Sequence, residues 1–148
     1  MIHGKYYYQG LTNKGSKITF ENAKRHCKKN GGKLAEPDTT QINLGLANLI
    51  PPGDGHLWIG IKRFANGTLV YDSNNATIPE NLSDNSGTSE LTECTSYNTI
   101  SKEWTYSGCD QKKKGFICER LEEKGDILIF FQSPYVHKLE IFKQKFIV

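Results

Sequence analysis

The sequence predicts an α+β domain closed by two bridges. Two amphipathic helical segments come first, and a run of short strands follows. Four cysteines in a chain of 148 residues can tie the two halves together. A long polar loop interrupts the strands.

The elements follow in order. Residues 5–9, rich in tyrosine, read as a first strand. Thr19 is placed to cap a helix reaching about Asn30, in which Phe20, Ala23 and Cys27 recur at i, i+3 and i+7 as one apolar stripe. Gly31-Gly32 stops that helix, and Leu34-Ala35 is extended ahead of Pro37. Asp38 is the expected cap of a second helix, with Gln41 three residues on in a capping-box arrangement. Ile42, Leu46 and Leu49 share one face of it, and Pro51-Pro52 ends it.

Leu57-Trp58-Ile59-Gly60-Ile61 has almost no polar break, so both faces of this strand are expected to be buried. Asn66-Gly67 marks a turn, and Leu69-Val70-Tyr71 returns as its partner. Residues 72–92 are mostly Asn, Ser, Thr, Asp and Glu, a length at which a loop is usually functional or disordered. Strands near 93–97, 103–106 and 115–119 close the domain, with Trp58 and Trp104 expected in the core and Lys112-Lys113-Lys114 in a loop. Residues 1–120 form the predicted domain. Residues 121–148, with apolar runs at 127–131 and 142–148, form an extension of unassigned role.

Composition narrows the function classes. The chain is 36% hydrophobic and 24% charged, as in ordinary soluble domains. Its net charge of +3 is too modest for a nucleic-acid binder, and no apolar run approaches the roughly 20 residues of a membrane span. There is no Gly-x-Ser-x-Gly elbow, phosphate loop or dinucleotide fingerprint, and His3, His26, His56 and His137 are scattered, so an enzyme is not expected. Two disulfides made in an oxidising compartment, four buried thiols and a zinc site all remain open to four cysteines, but neither Cys-x-x-Cys nor His-x-x-x-His spacing occurs. Sequons at Asn66, Asn75 and Asn81 fall in loop-like sequence and give weak support to secretion. The opening Met1-Ile2-His3-Gly4-Lys5 lacks the apolar stretch of a secretory leader, so secretion would imply a leader removed or missed. Residues 17–33 carry a net +5, which suits either a solvated helix face or contact with sulfated glycans or anionic surfaces.

The helix ending in Cys27, Lys33-Leu34-Ala35, Leu57-Trp58-Ile59-Gly60-Ile61, Leu69-Val70-Tyr71, Cys94, Trp104, Cys109 and Cys118 together resemble the C-type lectin-like domain family over residues 5–120. The resemblance implies two helices with short antiparallel sheets, a long loop, and bridges Cys27–Cys118 and Cys94–Cys109. Sugar-binding members of that family use a calcium ion, held by a Glu-Pro-Asn or Gln-Pro-Asp tripeptide, an acid two residues before a cysteine, and a Trp-Asn-Asp triplet. Calcium needs about six to eight oxygen ligands, several of them charged.

Here those ligands are largely missing. The triplet is Trp104-Thr105-Tyr106, the acid position is Thr92 with Glu93 beside it, and the tripeptide falls either at Ile78-Pro79-Glu80 or at Ser86-Gly87-Thr88. No sugar-coordinating calcium is therefore expected at the usual place, and no other cofactor. Asp84, Asn85, Glu90 and Glu93 offer oxygens for a different cation site, or simply solvate a loop.

The resulting expectation is an extracellular recognition module for a glycan, acting in innate pattern recognition. Its ligand contacts are expected from Glu80, Asp84, Asn85, Glu93, Thr105 and Tyr106. The alternatives are a protein–protein interaction module with no sugar site, or a mineral- or ice-binding surface. Oligomeric state is not legible.

Overall fold

The computed structural model describes residues 5–11, 16–50, 53, 55–82, 89–121 and 136–137. Along the chain lie β1 (Lys5–Leu11), β2 (Ile18–Thr19), α1 (Phe20–Lys29), β3 (Lys33–Leu34) and α2 (Thr40–Leu49). Then come β4 (His56–Arg63), β5 (Leu69–Tyr71), a 3-10 turn (Glu80–Leu82), β6 (Glu93–Asn98) and β7 (Trp104–Ser107). β8 (Lys112–Lys113), β9 (Gly115–Leu121) and β10 (Val136–His137) complete it.

Thr19 caps α1 as expected, its side-chain oxygen accepting from the Asn22 amide, and Phe20, Ala23 and Cys27 form the buried stripe. Gly31 takes φ +83° just past the helix, a conformation that glycine adopts without steric cost. The cap of α2 is a correction to the sequence reading: Thr39, not Asp38, accepts from the Ile42 amide, at 3.1 Å. The Asp38 carboxylate instead meets the Lys5 ammonium of β1 at 3.4 Å. Lys112-Lys113 is a second correction. It is a strand, because Ile18 and Thr19 pair with it in register.

The main sheet runs β10-β1-β9-β4-β6-β7, with β3 on β9 and β5 on β4; β2 and β8 form a separate ribbon. β4 is central, and its alternating side chains enter two different cores. Leu57, Ile59 and Ile61 pack with Ile42, Leu46 and Ile50 from α2 and the segment after it, together with Tyr97. Trp58 packs on the other face with Phe20, Ala23 and Cys27 of α1 and with Phe116. The lack of polar breaks in this strand has that cause. The Trp58 indole N–H donates to the Ile18 carbonyl at 2.9 Å, and its ring meets Phe20 edge-on. Trp104 is only half-buried.

The bridges join Cys27 to Cys118 and Cys94 to Cys109, with Cα separations of 5.5 and 5.0 Å. This is the pairing that the resemblance implied. The first ties α1 to β9, and the second ties β6 to the turn after β7. Among the described residues no helix is long and apolar enough to cross a membrane. Most of the predicted extension lies outside the described residues. Val136–His137 pairs with Gly10 and Gln9 on the outer edge of β1.

Candidate functional site

The candidate site lies where β4, β6 and β7 end beside the loop following β5. Side chains alternate along a strand, so β7 sends Trp104 and Tyr106 to one face and Thr105 to the other. Trp104 and Tyr106 pack against the α2-side core. The Thr105 hydroxyl lies 2.8 Å from the Ser96 hydroxyl and 3.1 Å from His56 Nδ1. Burial, then the nearby Lys113 charge, hold the His56 pKa below its ordinary value, so this imidazole is neutral near pH 7. Thr105 therefore belongs to a polar cluster apart from Tyr106.

On the Tyr106 side the organising residue is Arg63, which the sequence reading did not single out. Arg63 stands opposite Glu93 in the β4–β6 ladder. Its Nη2 donates to Glu93 Oε1 at 2.5 Å, and its guanidinium carbon lies 4.3 Å from the Tyr106 ring centroid. Arg63 is 8% exposed, so this ion pair is largely removed from water. The only sequence signal was a basic residue ending an apolar strand.

Of the six predicted ligand residues, the structure brings Glu93 and Tyr106 together around Arg63. Glu80 is exposed at the start of the 3-10 turn. Asp84 and Asn85 lie outside the described residues. The loop is fastened by Ile78 and Leu82, both buried, while Ser73, Asn74, Asn75 and Thr77 before them and Glu80 and Asn81 between them are exposed. The three sequon asparagines, Asn66, Asn75 and Asn81, are all exposed.

The described residues do not fit a calcium centre at this corner. A calcium ion would need several carboxylate oxygens, but a fixed guanidinium already meets the nearest one, and Thr105 faces away. Among the described residues no group of three His, Cys, Asp or Glu side chains is arranged to hold a metal.

A second polar constellation, also missed in the sequence, is structural. Glu119 and Glu36 are 2% and 6% exposed. Glu119 accepts from the Glu36 amide at 2.6 Å and meets Lys5 at 3.3 Å; Glu36 meets Lys33 at 2.8 Å and accepts from the Ser73 hydroxyl at 2.8 Å. The cluster joins β1, β9, the segment after β3 and the start of the polar loop. Burial raises the Glu119 pKa, and the Glu36 amide and Lys5 oppose that rise.

Comparison with known proteins agrees with this architecture. The family model described as the lectin C-type domain matches residues 16–120. The carbohydrate-recognition domain of the mouse scavenger receptor C-type lectin matches with a TM-score of 0.62 at 21% identity, covering 83% of this chain and 95% of that one. The carbohydrate-recognition domain of cow CD23 gives 0.61 at 19%, covering 82% and 92%. A calcium-independent type II antifreeze protein gives 0.58 at 18%, covering 82% and 89%. At these identities the likeness is one of fold. No curated protein matches the sequence.

Proposed function

The chain belongs to the C-type lectin domain family, and from that premise we propose that it is a non-enzymatic extracellular module that recognises glycans without a calcium-coordinated sugar. The observation that carries this reading is Arg63, ion-paired to Glu93 and set against Tyr106 at the corner where the resemblance implied a cation. A guanidinium supplies a permanent positive charge and directional N–H donors. A metal there would supply exchangeable coordination sites instead.

The ligand face consists of the polar loop after Tyr71, including Glu80 and, in the sequence beyond it, Asp84 and Asn85, together with Glu93 and Tyr106. Exposed amides and hydroxyls along Asn74, Asn75, Thr77 and Asn81 match the hydrogen-bonding groups of a sugar. Two disulfides and three exposed sequon asparagines support the extracellular reading, with N-glycans on Asn66, Asn75 or Asn81. A protein ligand is the second reading. It is favoured by Leu91, a large apolar side chain 75% exposed at the edge of the same face.

A glycan array probed in calcium and again in chelator tests the proposal. Glycan binding unchanged by chelator is expected. Binding abolished by chelator overturns the calcium-free mechanism. Absence of any glycan binding, with a protein ligand competing for this face, replaces the first reading with the second.

A further inference from the structure

We propose a second binding surface for a linear sulfated polysaccharide, formed by the exposed face of α1 and the β2–β8 ribbon. In the sequence the basic residues of 17–33 and Lys112-Lys113-Lys114 are separate. The ladder joins them, with Ile18 opposite Lys113 and Thr19 opposite Lys112. Lys17 and the triple lysine thus lie on paired strands at the start of α1, with Lys112 and Lys114 exposed and Lys113 turned in over the Trp58 ring at 5.6 Å. Along the helix, Arg25, Lys28 and Lys29 are exposed and continue the row, opposite the buried stripe of Phe20, Ala23 and Cys27.

Charge is concentrated here. Lys17, Arg25, Lys28, Lys29, Lys112 and Lys114 face one acid in the row, Glu21, with Asp110 next nearest along the chain before β8. The whole chain carries only +3, so the remainder is net acidic. Lys24 and Lys33 are already committed, to Asp72 at 3.0 Å and Glu36 at 2.8 Å, and are not part of the row. Lys113, beneath the row, has its pKa lowered by burial and then by the Lys17 charge.

The shape selects the ligand. Ten residues of helix extend about 15 Å, and the ribbon lengthens the row, so the cations are strung out rather than converging on one small anion. An extended polymer with repeated sulfates meets such a row. A membrane surface is disfavoured, because the large exposed apolar side chains of the described residues, Leu44, Leu91 and Ile100, all lie on other elements. Single-stranded nucleic acid is disfavoured because the row holds no aromatic platform for base stacking. The surface lies on the α1 side of the sheet, whereas Tyr106 packs on the α2 side, so it is distinct from the proposed glycan face.

Heparin is the probe, with desulfated heparin as its control. Titration at about 0.15 M salt, where surface charges more than about 8 Å apart are screened, reports the local row rather than the overall field. The variant Arg25→Gln/Lys28→Gln/Lys29→Gln is expected to bind heparin about tenfold more weakly, as is Lys17→Gln/Lys112→Gln, which alters the other end. The charge-matched variant Gln41→Glu/Leu44→Glu/Asn48→Glu places the same charge change on α2 and is expected to bind as the wild type does. Near-UV circular dichroism checks that each variant is folded. Equal losses in the α1 and α2 variants, equal binding of desulfated heparin, or binding to phosphatidylserine vesicles but not to heparin would each overturn the proposal.

Discussion

Removing the Cys27–Cys118 bridge should cost far more than removing Cys94–Cys109, and the sizes follow from the chain path. The bridges close sequence separations of 91 and 15 residues. In the loop-entropy model they are worth about 4.6 and about 3 kcal/mol at 25 °C. Burial widens the gap. Cys27 and Cys118 are both fully enclosed, whereas Cys109 is only half-buried, so the double alanine variant of the long bridge also leaves a core cavity. A domain of this size has roughly 5–15 kcal/mol in total. The Cys27→Ala/Cys118→Ala variant should therefore lose a large share of its stability, lowering Tm by roughly 15–20 °C. Urea melts of the two double variants, each made under oxidising conditions, give both values on one scale. Losses that are equal, or larger for Cys94→Ala/Cys109→Ala, would show that native-state strain or residual unfolded structure outweighs loop entropy here.

Three further outcomes are expected. Replacing Glu93 by Gln removes the carboxylate that Arg63 meets; with side chains 10% and 21% exposed, the pair lies between the surface and buried cases, and a loss of about 1–3 kcal/mol should appear in thermal melts. Gly10→Ala places a Cβ 2.2 Å from the Phe116 ring, so overpacking should cost about 1–3 kcal/mol in a urea titration. Glu119, with its pKa raised in the folded state, holds a proton there to higher pH than in the unfolded chain. Its contribution is full below the unfolded carboxylate pKa, near about 4.3, and is lost as pH rises through the folded value. Compared with Glu119→Gln at each pH, the wild type should lose relative stability on raising the pH through that window, and a flat or rising difference would contradict the sign.

The helices, the doubly buried β4 and the core role of Trp58 were legible because periodicity and apolar content report burial directly. The α2 cap was not, since Asp38 and Thr39 both have capping side chains; Thr39 makes the capping bond, while Asp38 meets Lys5, far away in the chain. Lys112-Lys113 has no strand character of its own and is a strand only because Ile18-Thr19 lies beside it. At the candidate site, alternation alone could have separated Thr105 from Tyr106. Arg63 was out of reach, because its pairing with Glu93 depends on a register that shifts between Trp58 and Lys62. The buried Glu36–Glu119 cluster likewise depends on contacts across the whole chain.

The first and last long strands of the domain are antiparallel neighbours, with Lys5 opposite Leu121. Residues 5 and 121 thus lie side by side near one edge of the sheet, about 5 Å apart, with β10 outside β1. β7, which carries Tyr106, is four strands away, or about 19 Å at the usual spacing. A pull applied through residues 5 and 121 would open the β1–β9 ladder one rung at a time, like a zip, instead of shearing every rung at once. The Cys27–Cys118 bridge limits how far that opening spreads, because it anchors β9 to α1 beside Tyr8. The proposed recognition face would stay assembled under tension that frays the opposite edge.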